Sequence, residues 1–157
     1  MKIIIGSDHV GYSLKADLKM YLEDLGYELT DIGCKNEADT VDYPDIAINL
    51  AESVARGEFN RGILICGTGI GMAIAANKIP GIRAAICHDV YSAERARKSN
   101  DAQIITLGAQ IVAPTLAREL LAHWLESEFE GGRSEPKVEK LKEIDNKYRK
   151  ENPIGPL

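Results

Sequence analysis

Gly62-Ile63-Leu64-Ile65-Cys66-Gly67-Thr68-Gly69-Ile70-Gly71 is a short apolar run that stops at a thiol and passes into a loop with three glycines. A run of four to eight apolar residues bounded by turn residues marks a strand buried on both faces. The apolar pattern then resumes over residues 72–78 as a helix, so the segment reads strand, glycine loop, helix. The same unit recurs on either side. Upstream, residues 2–6 predict a β-branched strand. Leu14, Leu18, Leu22 and Leu25 predict a helix, with Gly26 where its C-cap belongs. Residues 27–33 predict a second strand, and Ile46, Leu50, Ala51 and Val54 a second helix before Gly57. Downstream, residues 82–87, 92–98 and 103–107 predict strand, helix and strand. Leu116, Leu120, Leu121, Trp124 and Leu125 line one more helix.

Strict alternation of strands with helices implies right-handed crossovers, hence an α/β fold whose parallel sheet carries helices on both faces. The run at 62–66 is the most apolar and is expected at the centre. In such sheets ligands sit outside the carboxyl ends of the strands, which selects the loops at 7–11, 67–71 and 88–91. After Gly131-Gly132, a last helix carrying Val138, Leu141, Ile144 and Tyr148 follows the completed sheet. It is expected outside the core, against a second subunit. Residues 1–150 read as one domain. Pro153, Gly155 and Pro156 make 151–157 a tail.

The 157 residues suffice for a core without disulfides or structural metal. A net charge of −5 argues against broad binding to nucleic acid, which needs a basic face. No stretch approaches the roughly 20 apolar residues of a membrane span. Lys2 precedes any apolar region of a leader, and Cys34, Cys66 and Cys87 form no CxxC pair. Reduced thiols in a cytoplasmic protein are expected. The three His and three Cys show no metal-ligand spacing.

Several residues carry chemistry. Glycines at 67, 69 and 71 let backbone N–H groups approach a ligand, and the helix N-terminus that follows favours the reactive thiolate of Cys66. The alternative is a buried cysteine beside a tight turn. A dinucleotide reading is disfavoured because GxGxG has the wrong third spacing and follows the third strand; a Walker A reading lacks its Gly-Lys-Ser/Thr. Asp8-His9 ends the first strand and can move protons, unless Asp8 caps the next helix. His88-Asp89 offers a second such pair, with Asp89 equally placed as an N-cap. His123 reads as structural or on the surface. Arg133 and Lys137, four apart at the start of the last helix, either bind an anion or belong to a solvated charged face.

Together these pieces resemble the ribose-5-phosphate isomerase B and galactose-6-phosphate isomerase family. The matching residues are 5–11 (Ile5-Gly6-Ser7-Asp8-His9-Val10-Gly11), Asp42-Tyr43-Pro44, 66–71, Ala75-Ala76-Asn77-Lys78, Gly81-Ile82-Arg83-Ala84, Asn100 and Gly131-Gly132-Arg133. The resemblance implies a three-layer α/β/α sandwich with a five-stranded Rossmann-like sheet. It further implies aldose–ketose isomerisation of a sugar phosphate through an enediol, without metal or organic cofactor, in dimers or tetramers whose sites are shared between subunits. On this basis Cys66 is the proton-transfer base. Thr68 and the N–H groups of Gly67, Gly69, Ile70 and Gly71 stabilise the enediolate. Asp8, His9, Tyr43 and Asn100 hold the sugar, and His9, Arg133 and Lys137 hold the phosphate.

Three departures bear on the substrate. Ser99, which the resemblance sets among the catalytic positions with Cys66, Thr68 and Asp8, stands where many ribose-5-phosphate isomerases carry the histidine that opens the furanose ring. Gln110 replaces a phosphate-gripping arginine, and Lys137 replaces another, keeping charge without the bidentate fork. Ribose 5-phosphate is the expected substrate, with erythrulose 4-phosphate and galactose 6-phosphate as alternatives. The segment 91–96, with Ser99-Asn100 and 103–106, also resembles members acting on erythrulose 4-phosphate. A non-catalytic sugar-phosphate-binding module is the reading from another class; the thiol at Cys66 argues for the enzyme.

Overall fold

The computed structural model describes residues 1–151. Strands β1 (Lys2–Ser7), β2 (Glu28–Gly33), β3 (Arg61–Cys66), β4 (Ala84–Ile86) and β5 (Ile104–Gly108) form one parallel sheet in the order β2-β1-β3-β5-β4. The central strand is β3, as its apolar run predicts, and all its residues are buried. Helices α1 (Tyr12–Asp24), α4 (Val90–Lys98) and α5 (Pro114–Glu126) cover one face; α2 (Tyr43–Ala55) and α3 (Ile70–Ala76) cover the other. The expected α/β/α sandwich is therefore present.

Successive strand side chains point to opposite faces. Ile5, Ile63, Ile65 and Leu107 meet Leu18, Leu120 and Trp124 on one side, while Ile4, Leu64 and Ile104 meet Leu50 and Met72 on the other. Each such aliphatic side chain contributes about 1.5–3 kcal/mol by burial, so beyond Arg61, whose guanidinium pairs with Glu128 at the amino edge, neither face of β3 or β5 carries a charge. That is why they read as unbroken apolar runs.

From β1 the chain turns to α1 on one face, and from the adjacent β3 it turns to α3 on the other. The two loops diverge and leave a crevice between the ends of β1 and β3. Ligands of open α/β sheets bind at such a switch point.

Three expectations are corrected. The fourth strand spans three residues, because side-chain amides replace ladder bonds at this sheet edge. Asn77 accepts the Ala84 N–H (2.9 Å) and donates to the Ala84 carbonyl (2.8 Å). Gln103 accepts the Arg83 N–H (2.9 Å) and donates to the Gly81 carbonyl (3.0 Å). Second, Gly132–Ser134 form a 3-10 turn before the last helix, α6 (Glu135–Glu151). Arg133 thus lies outside α6 and does not share an α-helical face with Lys137; the left-handed Gly131 and Gly132 (φ 73° and 59°) bend the chain there. Third, α6 runs through Glu151, and the rest of the expected tail, 152–157, lies outside the described residues. Helix α6 buries Val138 but leaves Leu141, Ile144 and Tyr148 exposed, as expected for a helix outside the core. Among the described residues no helix is long and apolar enough to cross a membrane.

Candidate active site

Cys66 ends β3 with its side chain almost wholly buried, and the loop that follows is laid against the end of β5. Ala109 N–H donates to the Cys66 carbonyl (2.8 Å), Gln110 N–H to the Gly67 carbonyl (3.0 Å), and the Thr106 hydroxyl to the Gly69 carbonyl (2.9 Å). Every peptide bond here is trans, so each N–H opposes the carbonyl of its own peptide group. The N–H groups of Gly67, Thr68 and Ile70 are thereby directed away from β5. Gly69 adopts φ +77°, and its N–H donates to Cys66 Sγ at 3.2 Å. Ile70 N–H donates to Thr68 Oγ1 (3.3 Å), which leaves the hydroxyl proton to be given to a ligand.

These groups line an open depression of about 440 Å³ with Asp8, Tyr43, Gly71 and Ile74. Asp8 accepts the Gly11 N–H at 2.9 Å and donates its own N–H to the Ile65 carbonyl at 3.3 Å. Its carboxylate therefore does shape the turn before α1, and it also walls the depression. Tyr43 opens α2, and its ring occupies the space where Gly71 has no Cβ. His9 is exposed in the turn beside Asp8. Thus Asp8, Tyr43, Cys66, Gly67, Thr68, Ile70 and Gly71 are brought together at the crevice the topology creates.

The other expected residues lie elsewhere. Ser99, the C-cap of α4, lines a separate depression of about 420 Å³ with Arg133, Arg95, Lys98, Glu128 and Glu130. Helix α4 runs back along the sheet, so Ser99 sits at the amino edge of the strands. Glu128, on the same depression, pairs with Arg61 at 3.0 Å, and Arg61 is the first residue of β3. Five residue steps of about 3.3 Å place Arg61 roughly 16 Å from Cys66. Asn100 lies at this edge too, donating to the Arg95 carbonyl at 3.1 Å, but faces a cavity with Arg83, Leu141 and Ile144. Lys137 is exposed on the first turn of α6. One chain therefore separates the candidate proton-transfer group from Ser99 and Arg133.

The second histidine pair serves structure. His88 Nε2 accepts the Gly108 N–H at 3.1 Å. Asp89 caps α4 by accepting the Ser92 hydroxyl (2.6 Å) and N–H (2.7 Å), which holds its carboxyl below the usual range. Burial raises the Cys34 thiol, and pushes Cys87 up to about 12, so both are inert near neutrality. Sequence reasoning misses Thr106. The available signal is a hydroxyl inside Ile104-Ile105-Thr106-Leu107, a strand otherwise apolar on both faces. Among the described residues no group of three His, Cys, Asp or Glu is placed to hold a metal ion.

Comparison with known proteins gives the family. The family model described as Ribose/Galactose Isomerase matches residues 3–141. Ribose-5-P isomerase B of Listeria innocua is 57% identical, over 95% of this chain and 100% of its own. D-erythrulose-4-phosphate isomerase of Pectobacterium atrosepticum is 52% identical, over 90% of this chain and 93% of its own. The structure of ribose-5-phosphate isomerase B from Clostridium thermocellum superposes with a TM-score of 0.91 at 50% identity, covering 94% of this chain and 99% of that one. With its glycine loop, its switch-point crevice and near full-length identity above one half, the chain belongs to the ribose/galactose isomerase family.

Proposed function

We propose that this chain, as one domain over residues 1–150, interconverts ribose 5-phosphate and ribulose 5-phosphate through an enediol. The observation that carries the reading is the Cys66 sulfur, held by the Gly69 N–H on the wall of the switch-point depression. Cys66 removes the proton from the carbon beside the carbonyl, and the electron pair moves onto the carbonyl oxygen. Thr68 and the outward N–H groups stabilise that oxygen as charge develops. Asp8 carries the proton exchanged between the two oxygens. Cys66 then returns its proton to the neighbouring carbon, so the reaction balances without oxidant or reductant. His9 and Tyr43 hold the sugar from the rim.

The site is completed by a second copy. Support comes from the separation of Cys66 and Arg133, and from the exposed Ile70, Ile74, Leu141, Ile144 and Tyr148. In the dimer the partner contributes the depression of Ser99 and Arg133, with Asn100 and Lys137 beside it, so that His9 of one chain and Arg133 and Lys137 of the other grip the phosphate. Three free cysteines support a reducing compartment, the cytoplasm.

A specific residue favours a second substrate. Ser99 places a hydroxyl, and no imidazole, where ring opening requires acid–base chemistry, which suits erythrulose 4-phosphate, a tetrose phosphate unable to close a furanose. The test of the main reading is Cys66→Ala. Turnover should fall by at least about a hundredfold with the fold intact, since a general base contributes 10²–10⁴. Solvent deuterium should enter the sugar phosphate with the native protein and not with the variant; absence of exchange in the native protein would instead indicate a binding module. Coexpressed Cys66→Ala and Arg133→Ala chains should recover roughly a quarter of native activity by random pairing, because each mixed dimer rebuilds one complete site. No recovery would place the whole site in one chain.

A further inference from the structure

Asn100 belongs to the turn that leaves α4, and the next residue of that turn is strained. Asp101 has φ +47°, and among the described residues it alone, glycines aside, adopts the left-handed region. L residues avoid that region because Cβ crowds the following carbonyl, and they persist in it where their neighbours over-determine them. Two arginines do so here. Arg97, almost wholly buried, donates Nη1 to one carboxylate oxygen of Asp101 at 2.9 Å, and Arg83 donates Nη2 to the other at 2.7 Å.

The φ and ψ angles of Asp101 relate two peptide planes, 100–101 and 101–102. The N–H side of each plane is given back to α4. Asp101 N–H donates to the Arg97 carbonyl at 3.0 Å and Ala102 N–H to the Ala96 carbonyl at 2.9 Å. The carbonyl side of each plane is taken by Arg83. Its Nε donates to the Asn100 carbonyl at 3.0 Å and its Nη2 to the Asp101 carbonyl at 2.9 Å. Arg83 is itself seated in the sheet, because its N–H goes to Gln103 Oε1 at 2.9 Å and its carbonyl receives the Ile104 N–H at 3.3 Å. The bonds to α4 attach the turn to its own helix; those of Arg83 attach it to the sheet edge. The first of the two planes includes the Cα of Asn100. At the far end of that side chain, Nδ2 donates to the Arg95 carbonyl at 3.1 Å, which leaves Oδ1 and the second amide hydrogen for a ligand.

We propose that Arg83 is a positioning residue for Asn100: by holding both peptide planes around the left-handed Asp101, its guanidinium sets the direction in which the Asn100 amide meets the sugar. This rests on the reading of Asn100 as a sugar ligand in the shared site, and the test separates the two.

The experiment combines steady-state kinetics on ribose 5-phosphate and erythrulose 4-phosphate with backbone amide exchange, in the full chain. Arg83→Met keeps the stem and removes every donor of the guanidinium. Its KM should rise about tenfold, roughly the value of one hydrogen bond to the bound sugar, while kcat stays within about threefold. Asn100→Ala should raise KM by a similar factor. The double variant should rise no further than Asn100→Ala alone, since Arg83 acts through the asparagine. The amides of Asp101 and Ala102 should exchange at least about tenfold faster in Arg83→Met, with those of β3 at native rates. If Arg83→Met does not fold, Arg83→Lys, which keeps the charge and loses the planar fork, should raise KM about threefold. Additive effects in the double variant, equal acceleration of exchange in β3, or a native KM in the Arg83 variant beside a raised KM in Asn100→Ala would overturn the proposal. A native KM in Asn100→Ala would overturn the reading of Asn100 itself and leave Arg83 a structural residue.

Discussion

Gly71 lacks a side chain because Tyr43 occupies its place: a Cβ on Gly71 would lie 2.5 Å from Tyr43 Cε2 and 2.6 Å from Cζ. The contact ties the start of α2 to the start of α3 and brings the tyrosine ring over the depression that holds Cys66. Tyr43 is partly exposed, so an added methyl displaces the ring outward and leaves the backbone in place. Alanine is also the better helix former by about 1 kcal/mol, which offsets part of the lost packing. Gly71→Ala should therefore keep Tm nearly native while KM for the sugar phosphate rises about threefold to tenfold, the value of one contact. A native KM with a lowered Tm would restrict Tyr43 to packing.

Lys15 is a buried cation with no part in the proposed chemistry. Its Nζ donates to Asp31 Oδ1 (2.5 Å), the Cys34 carbonyl (2.7 Å) and the Ile32 carbonyl (3.3 Å), and lies 5.7 Å from the centre of the Tyr12 ring. It fastens α1 to the end of the edge strand β2, where the chain begins its path to Tyr43. Lys15→Met keeps the aliphatic stem but strands the Cys34 carbonyl and removes a charge partner of Asp31. The stability loss should be about 1–3 kcal/mol in urea, read as a lower midpoint at constant m. Asp31 keeps Lys19 at 3.4 Å and some solvent, which places the loss below that of a fully buried broken pair. A midpoint shift under about 0.5 kcal/mol would mean that water replaces the ammonium.

Stability should fall at high pH through Cys87. Burial, and then the charge of Asp89, push this thiol from its ordinary 9.0 up to about 12. The folded state thus holds a proton that the unfolded state releases, so the contribution is complete below about pH 9 and declines toward pH 12. The slope approaches roughly 1.4 kcal/mol per pH unit within that window. Cys87→Ala, compared with the native chain by chemical denaturation at pH 8 and pH 10, should show the flatter dependence. Parallel curves for the two proteins would rule this origin out.

The β-branched runs and helix stripes sufficed to place all five strands and the crevice loops, because burial on both faces leaves an unmistakable apolar run. The edge escaped because Asn77 and Gln103 replace ladder bonds there, and nothing local distinguishes an amide that pairs with a backbone from one in solvent. Ser99 was partly legible. A helix returning along a parallel sheet must end at the amino edge, opposite Cys66, so element order alone separates the two. Arg133 was not, since its place depends on where the chain passes after α5 and on the left-handed bend at Gly131 and Gly132.

Ser99 carries the sharpest consequence for substrate choice. Its depression contains Arg95, Lys98, Arg133 and Ser134, and its carboxylates are Glu128, tied to Arg61 and Arg97, and Glu130. None of these lining groups is an imidazole, the side chain whose proton exchanges most readily near pH 7. His88 is held by the Gly108 N–H, and in the proposed dimer His9 is engaged with the phosphate. Ribose 5-phosphate must open its furanose before a carbonyl is available to Cys66, whereas the terminal oxygen of a tetrose 4-phosphate carries the phosphate and no furanose can form. The native protein should therefore handle erythrulose 4-phosphate better, relative to ribose 5-phosphate, than relatives with histidine at this position. Ser99→His should raise kcat/KM on ribose 5-phosphate by about tenfold or more, the low side of general acid–base catalysis, and leave the tetrose phosphate unchanged. A native preference for ribose 5-phosphate that Ser99→His fails to increase would show that ring opening does not limit this protein.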